Sequence, residues 1–161
     1  MECILQSEIY EVIDATFKDI GTSTDYTAWT NDTNLTVERG TAHTTLTQID
    51  TDSAGIHRLN PSITDDLCIE CDLYIDAGAD YTYIFQFRQD TSNKGTVSTS
   101  NFNTRKWQHL KLTVNGTTVN INVDGVEKTP ITLSSSSWNR LYLSIFNGAT
   151  VQYKNFVYYP V

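Results

Sequence analysis

Residues 106–126 read KWQHLKLTVNGTTVNINVDGV, and their pattern decides the fold class. Leu110, Leu112 and Val114 alternate with His109, Lys111 and Thr113. After Asn115-Gly116 the alternation resumes, with Val119, Ile121 and Val123 against Asn120, Asn122 and Asp124. Alternation with period two on both sides of Asn-Gly signals a β-hairpin with one dry face and one wet face. Pairing Val114 with Thr117 or with Val119 preserves parity, so the buried face is fixed while the turn is left open. Asp124-Gly125 then closes the second strand with a turn where φ can be positive.

The same alternation recurs upstream. In LCIECDLYID, Leu67, Ile69, Cys71, Leu73 and Ile75 share one face, and Cys68, Glu70, Asp72, Tyr74 and Asp76 the other. In YTYIFQFRQD, Tyr81, Tyr83, Phe85 and Phe87 lie opposite Thr82, Ile84, Gln86 and Arg88. Only the short AGAD separates the two runs, so they are expected to be antiparallel neighbours. Shorter strands are expected at Leu35 to Glu38, Thr44 to Gln48 and Gly55 to Leu59, the last ending before Asn60-Pro61. Residues 91–104 read as a polar loop with one short strand at Thr96 to Thr99, and Pro130 to Ser137 as a connector. Leu141, Leu143 and Ile145 form the next inward row, opposite Tyr142 and Phe146. Val151 to Tyr159 reads as the last strand. Residues 1–12 read as a lead-in strand or arm, and 13–161 as a single domain opening with a strand at Ile13 to Phe17. No stretch carries a helical apolar stripe, and no repeat of fixed period occurs. About a dozen short strands indicate an all-β, two-sheet antiparallel sandwich or jelly roll.

Composition narrows the partners. A chain of 161 residues with net charge −8 and no basic run speaks against nucleic acid or an anionic membrane surface as partner. No apolar run approaches the roughly 18 residues of a membrane span. Met1 to Thr16 lacks a basic start followed by an apolar block, so the expectation is an excised module or a virion component, working outside the cell or at its surface. Cys68 and Cys71 have C-x-x-C spacing, but on a strand they point to opposite faces, about 10 Å apart, and cannot bridge. With only Cys3 and scattered histidines left, a zinc or redox site has no second ligand pair. His43, His57 and His109 have no Ser or Asp arrangement that suggests a triad.

Trp107, the LKLTV strand, the NGTT turn, VNINVDG, LYLSIF and the closing KNFVYY together resemble the concanavalin A-like, laminin G-like jelly-roll superfamily. The resemblance covers about residues 13–160 and implies a concanavalin A-like sandwich that serves as a lectin or glycan-binding module. It also implies a possible structural calcium, for which Asp124 in VDGV is the one candidate ligand; no other cofactor is expected. Glu70-Cys-Asp72-Leu-Tyr-Ile-Asp76 is similar to the E-x-D-x-x-E strand of laminarinase-like glycosidases. There, two carboxylates flank the bond at about 5 Å. Here the third carboxylate, Asp76, comes six residues after Glu70 instead of four or five, so no catalytic residue is assigned.

The candidate ligand-binding residues are therefore Glu70, Asp72, Tyr74, Gln86 and Arg88, one patch if the two strands are neighbours. Carboxylates, amides, a guanidinium and an aromatic ring match the hydroxyl arrays and ring faces of sugars. An ordinary solvated sheet face with charge pairs such as Asp72–Arg88 is the competing reading. Trp29 and Trp138, in polar stretches, are candidate sugar-stacking platforms or loop anchors, whereas Trp107 reads as structural. The function expected is a non-catalytic glycan-binding module of a surface adhesin or a virus or phage tail assembly. Its partners would be a cell-surface glycan and other subunits of that assembly. A packing domain that binds no sugar is the alternative, and a glycosidase the third reading.

Overall fold

The computed structural model describes residues 30–31, 35–39, 44–48, 54–63, 66–76, 84–145 and 150–160. In chain order the strands are β1 (Thr30–Asn31), β2 (Leu35–Arg39), β3 (Thr44–Gln48), β4 (Ala54–Ile63), β5 (Leu67–Ile75) and β6 (Phe85–Gln89). There follow β7 (Ser92–Val97), β8 (Trp107–Asn115), β9 (Thr118–Val123), β10 (Val126–Thr132), β11 (Trp138–Ile145) and β12 (Thr150–Pro160). A five-stranded sheet has the order β1-β4-β11-β6-β7, and a seven-stranded sheet the order β10-β9-β8-β5-β12-β3-β2. All pairings are antiparallel. Among the described residues there is no α-helix, only a short 3₁₀ turn at Thr99–Asn101.

The central hairpin forms as its pattern requires. Val114 pairs with Val119 and Leu112 with Ile121, so the apolar rows of β8 and β9 share one face. Gly116 has φ of +56° and Thr117 is not in the left-handed region. That is the habit of a II′ turn, whose first central residue is glycine. At the next turn Asp124 (φ 53°) and Gly125 (φ 82°) are both left-handed, as type I′ demands, and β10 follows directly.

The inner rows of the two sheets make one core. Ile69, Cys71, Leu112 and Ile121 come from the larger sheet and Phe85, Phe87 and Leu143 from the smaller, all fully buried. Phe85 and Phe156 meet across the sandwich with ring centroids 6.3 Å apart. Burying each such side chain contributes roughly 1.5–3 kcal/mol, which is what fixes the parity of β5, β8 and β9.

Parity within β5, β6, β8 and β9 is as the sequence indicates, and so is the pairing of β8 with β9; the pairing of β5 with β6 is not. β5 lies between β8 and β12 in the larger sheet, while β6 lies between β11 and β7 in the smaller. The two runs joined by AGAD thus sit in opposite layers. A short connection can cross the core as readily as it can close a hairpin, and alternation does not distinguish the two. β4 runs through Pro61 instead of ending before it. The ladder to β11 slips there, from Leu59↔Arg140 to Ile63↔Trp138, a bulge that absorbs the missing proline N–H. β7 occupies Ser92–Val97, earlier than expected, and β10 takes up Pro130 to Thr132 of the expected connector. Pro130 is tolerated because β10 is an edge strand whose register slips between Lys128 and Ile131. The lead-in 1–12, the strand at Ile13 to Phe17, Trp29, Tyr81, Tyr83 and Phe146 lie outside the described residues.

Candidate functional site

Each sheet presents an outer face, and the expected binding residues divide between them. Glu70, Asp72 and Tyr74 lie on the larger sheet, Gln86 and Arg88 on the smaller. They do not form one patch, because β5 and β6 are not neighbours.

On the larger sheet, register brings His109 opposite Asp72 and Lys111 opposite Glu70. The His109 ring sits between the two carboxylates, Nδ1 at 2.9 Å from Asp72 Oδ1 and Nε2 at 3.4 Å from Glu70 Oε2. Lys111 Nζ adds a contact of 3.1 Å to Glu70 Oε1. The β12 ladder slips after Lys154, and Asn155 takes φ of 53°. That bulge aims its amide at Asp72 Oδ2, to which Nδ2 donates at 2.7 Å. Asp76 pairs with Arg105 at 3.5 Å. Trp107 is half-buried on this face, its ring 5.7 Å from that of Tyr74 and under the Lys154 ammonium at 4.6 Å. Glu70 and Asp72 are each matched by donors from neighbouring strands, and Asp76 by Arg105 of the turn before β8. The Asp72–Arg88 pair does not form, since the residues are in different sheets.

The larger face also bears on metal and on acid chemistry. Both Asp124 oxygens accept donors, Oδ1 from the His109 backbone N–H at 2.9 Å and Oδ2 from Lys106 Nζ at 3.1 Å. These donors, the backbone one first, hold the Asp124 carboxyl below its ordinary range. Among the described residues no group of three His, Cys, Asp or Glu side chains stands together as a metal cluster. Cys68 and Cys71 are both buried, Cys71 in the core and Cys68 with its Sγ against Glu70 Oε1 at 3.5 Å.

The smaller sheet is built differently. Across it Arg140 of β11 pairs with Arg88 of β6, and one step along Tyr142 pairs with Gln86. Asn93 and Thr96 of β7 extend the two rows. Gln86 is buried, and its Oε1 accepts from Arg88 Nε at 2.6 Å. The Arg88 guanidinium lies 4.5 Å from the centroid of the Tyr142 ring, a cation–π contact that orients the fork. Arg140 Nε is buried and has no hydrogen-bond partner. Asp90, at the near end of β6, is committed to Asn139 by a reciprocal pair of 2.8 Å bonds. No carboxylate among the described residues lies within ion-pair reach of Arg88 or Arg140.

Trp138 is no platform: it is buried in the core, edge-on to Phe87 at 5.0 Å. The slip in register between Trp138 and Arg140 turns it inward. Arg140 was not singled out in the sequence, although alternation with Leu141 and Leu143 places it beside Tyr142 on the outer face. Trp107 likewise shares the parity of His109 and Lys111, which marks it as an outer-face residue.

No family model matches the chain, and no curated protein does. Solved structures match throughout. A sialidase superposes with TM-score 0.68 at 12% identity, covering 90% of this chain and 18% of the sialidase. The carbohydrate-binding module CBM66 from Bacillus subtilis gives TM-score 0.59 at 18% identity, covering 81% of this chain and 94% of that one. The Emp47p carbohydrate recognition domain gives 0.63 at 10%, covering 91% and 98%. The likeness is one of fold, a two-sheet antiparallel jelly-roll sandwich. The chain spans less than a fifth of the sialidase and nearly the whole of the two binding domains.

Proposed function

We propose that this chain is a non-catalytic carbohydrate-binding module working from the outer face of the smaller sheet. The observation that carries the reading is the set Gln86, Arg88, Arg140 and Tyr142. There, the terminal nitrogens of the Arg88 fork and the half-buried Arg140 have no acceptor among the described residues, while Gln86 and Tyr142 beside them are buried. Sugars supply hydroxyl acceptors, so donors of this kind suit them. The likeness to a named carbohydrate-binding module and a carbohydrate recognition domain supports the same reading.

Glycoside hydrolysis is the weaker reading because the gap between Glu70 and Asp72 is filled. The His109 ring contacts both carboxylates, where a nucleophile and an acid would need the glycosidic bond between them. Hydrogen bonds at an outer face compete with water, so single-site affinity is expected in the micromolar to millimolar range. Several copies would then hold firmly, as in a cell-surface or virion array.

A glycan array probed with the purified chain and with Arg88→Ala tests this. Selective binding to a few glycans, lost in Arg88→Ala and kept in Glu70→Gln, is the expected outcome. Binding to no glycan would leave a packing domain as the better account. Hydrolysis abolished by Glu70→Gln would restore the glycosidase.

A further inference from the structure

The two arginines of the smaller face raise a question that glycan binding alone does not answer. Arg88 and Arg140 are directly opposed on adjacent strands, both half-buried. Like charges directly opposite one another destabilise a sheet, and partial burial adds desolvation. A local carboxylate would relieve both costs. Supply is no obstacle, since the chain has 19 acidic residues against 11 basic ones. Yet Asp90, the carboxylate of the β6–β7 turn, is bound to Asn139 instead.

The donors themselves are arranged to receive something. Arg88 gives its Nε to Gln86 and sets its Cζ 4.5 Å from the centroid of the Tyr142 ring, which leaves the two terminal nitrogens of the fork without a partner among the described residues. Arg140 makes no hydrogen bond or ion pair among the described residues, and its Nε is out of water. Guanidinium donors in a fixed plane match a planar or tetrahedral oxyanion through paired N–H···O bonds.

We propose that Arg88 and Arg140 form an oxyanion site, so that the saccharide bound at this face carries a carboxylate or a sulfate. The inference rests on the carbohydrate reading above and narrows it to acidic sugars. Gln86 and Tyr142, both buried, are positioning residues, which hold the Arg88 guanidinium by its Nε and from one side. The anion replaces the missing acid, cancels the repulsion between the two cations and satisfies the buried Nε.

Matched pairs of glycans test it: oligogalacturonate against its methyl ester, and a sulfated galactan oligosaccharide against its desulfated form. A sialylated oligosaccharide and its methyl ester complete the set, with polyglutamate as a non-sugar anion. One charged form is expected to bind at least tenfold more tightly than its neutral partner, with the preference shrinking as salt is raised. Which pair shows it distinguishes carboxylate from sulfate. Arg88→Gln and Arg140→Gln should each abolish the preference, while Gln86→Leu should weaken it and Arg88→Lys should restore only part of it. Arg140→Gln is expected to keep or raise the melting temperature of the free protein, because it removes a like-charge contact; lost binding then does not mean lost fold. Equal binding to charged and neutral partners overturns the oxyanion site and leaves the carbohydrate module standing. Binding to polyglutamate but to no glycan, or to nothing in the set, overturns both.

Discussion

The two outer faces of this sandwich share one core and treat charge in opposite ways. On the larger sheet Glu70, Asp72, Lys111, His109 and Asn155 answer one another across three strands. On the smaller sheet two arginines stand in register, with no ion pair to an acid among the described residues. A self-satisfied network gains little from a ligand, because each new bond must displace an existing one. A face with spare donors has only water to displace. Richness in polar residues is thus a poor guide to a binding site, and unspent hydrogen-bonding capacity a better one.

The comparison breaks first if the smaller sheet's aromatic residues are misassigned. Trp138 sits in the core under this sheet, not on its face. Trp138→Ala should cost roughly 3–5 kcal/mol, as a large cavity beside Phe87 demands. Denaturant unfolding measures the loss, and the glycan profile of the surviving folded protein should be unchanged. A stable Trp138→Ala that has lost binding would put the tryptophan back on the surface.

Removing the hub of the larger face is the next largest change. Asp72 accepts from Asn155 at 2.7 Å and contacts His109 at 2.9 Å. Asp72→Ala should destabilise by about 1.5–3 kcal/mol, the range for hydrogen bonds to a charged group. Glu70→Gln should cost less, under about 1 kcal/mol, since its partner Lys111 is 44% exposed and well solvated. Both should leave glycan binding intact. Loss of binding in either variant would move the site to the larger sheet.

Much of this arrangement could be read from the chain and one decisive part could not. The inward rows of β5, β8 and β9 follow from alternation, because burial of methylene groups punishes any slip by one residue. The outward assignment of Arg88 follows in the same way. What alternation lacks is any statement of which strand lies beside which. Arg88 and Arg140 are far apart in sequence, and their opposition exists only because β11 pairs with β6. Glu70 and His109 meet for the same reason, through β5 and β8. Trp138 failed for a different cause: a local slip in the ladder turned a residue inward that the surrounding polar stretch made look exposed.

The smallest expected effect lies at the end of the larger face, where Asp124 closes the β9–β10 turn. Its carboxyl is held below the ordinary value of 3.8, first by the His109 backbone N–H and then by Lys106. A depressed carboxyl contributes stability that is present above its unfolded value and is lost as pH falls through the lower, folded one. An NMR titration of the Asp124 side chain should therefore show a midpoint below 3.8. Lys106→Met should raise that midpoint only part of the way, because the backbone donor remains. Full return to the ordinary value in Lys106→Met would mean that the exposed ion pair, not the turn's own geometry, holds the charge. The Asp124→Asn variant should unfold with a shallower acid dependence than the parent below pH 3.8 and with no change in glycan preference. That is the behaviour of a face whose charges serve the turn they sit on.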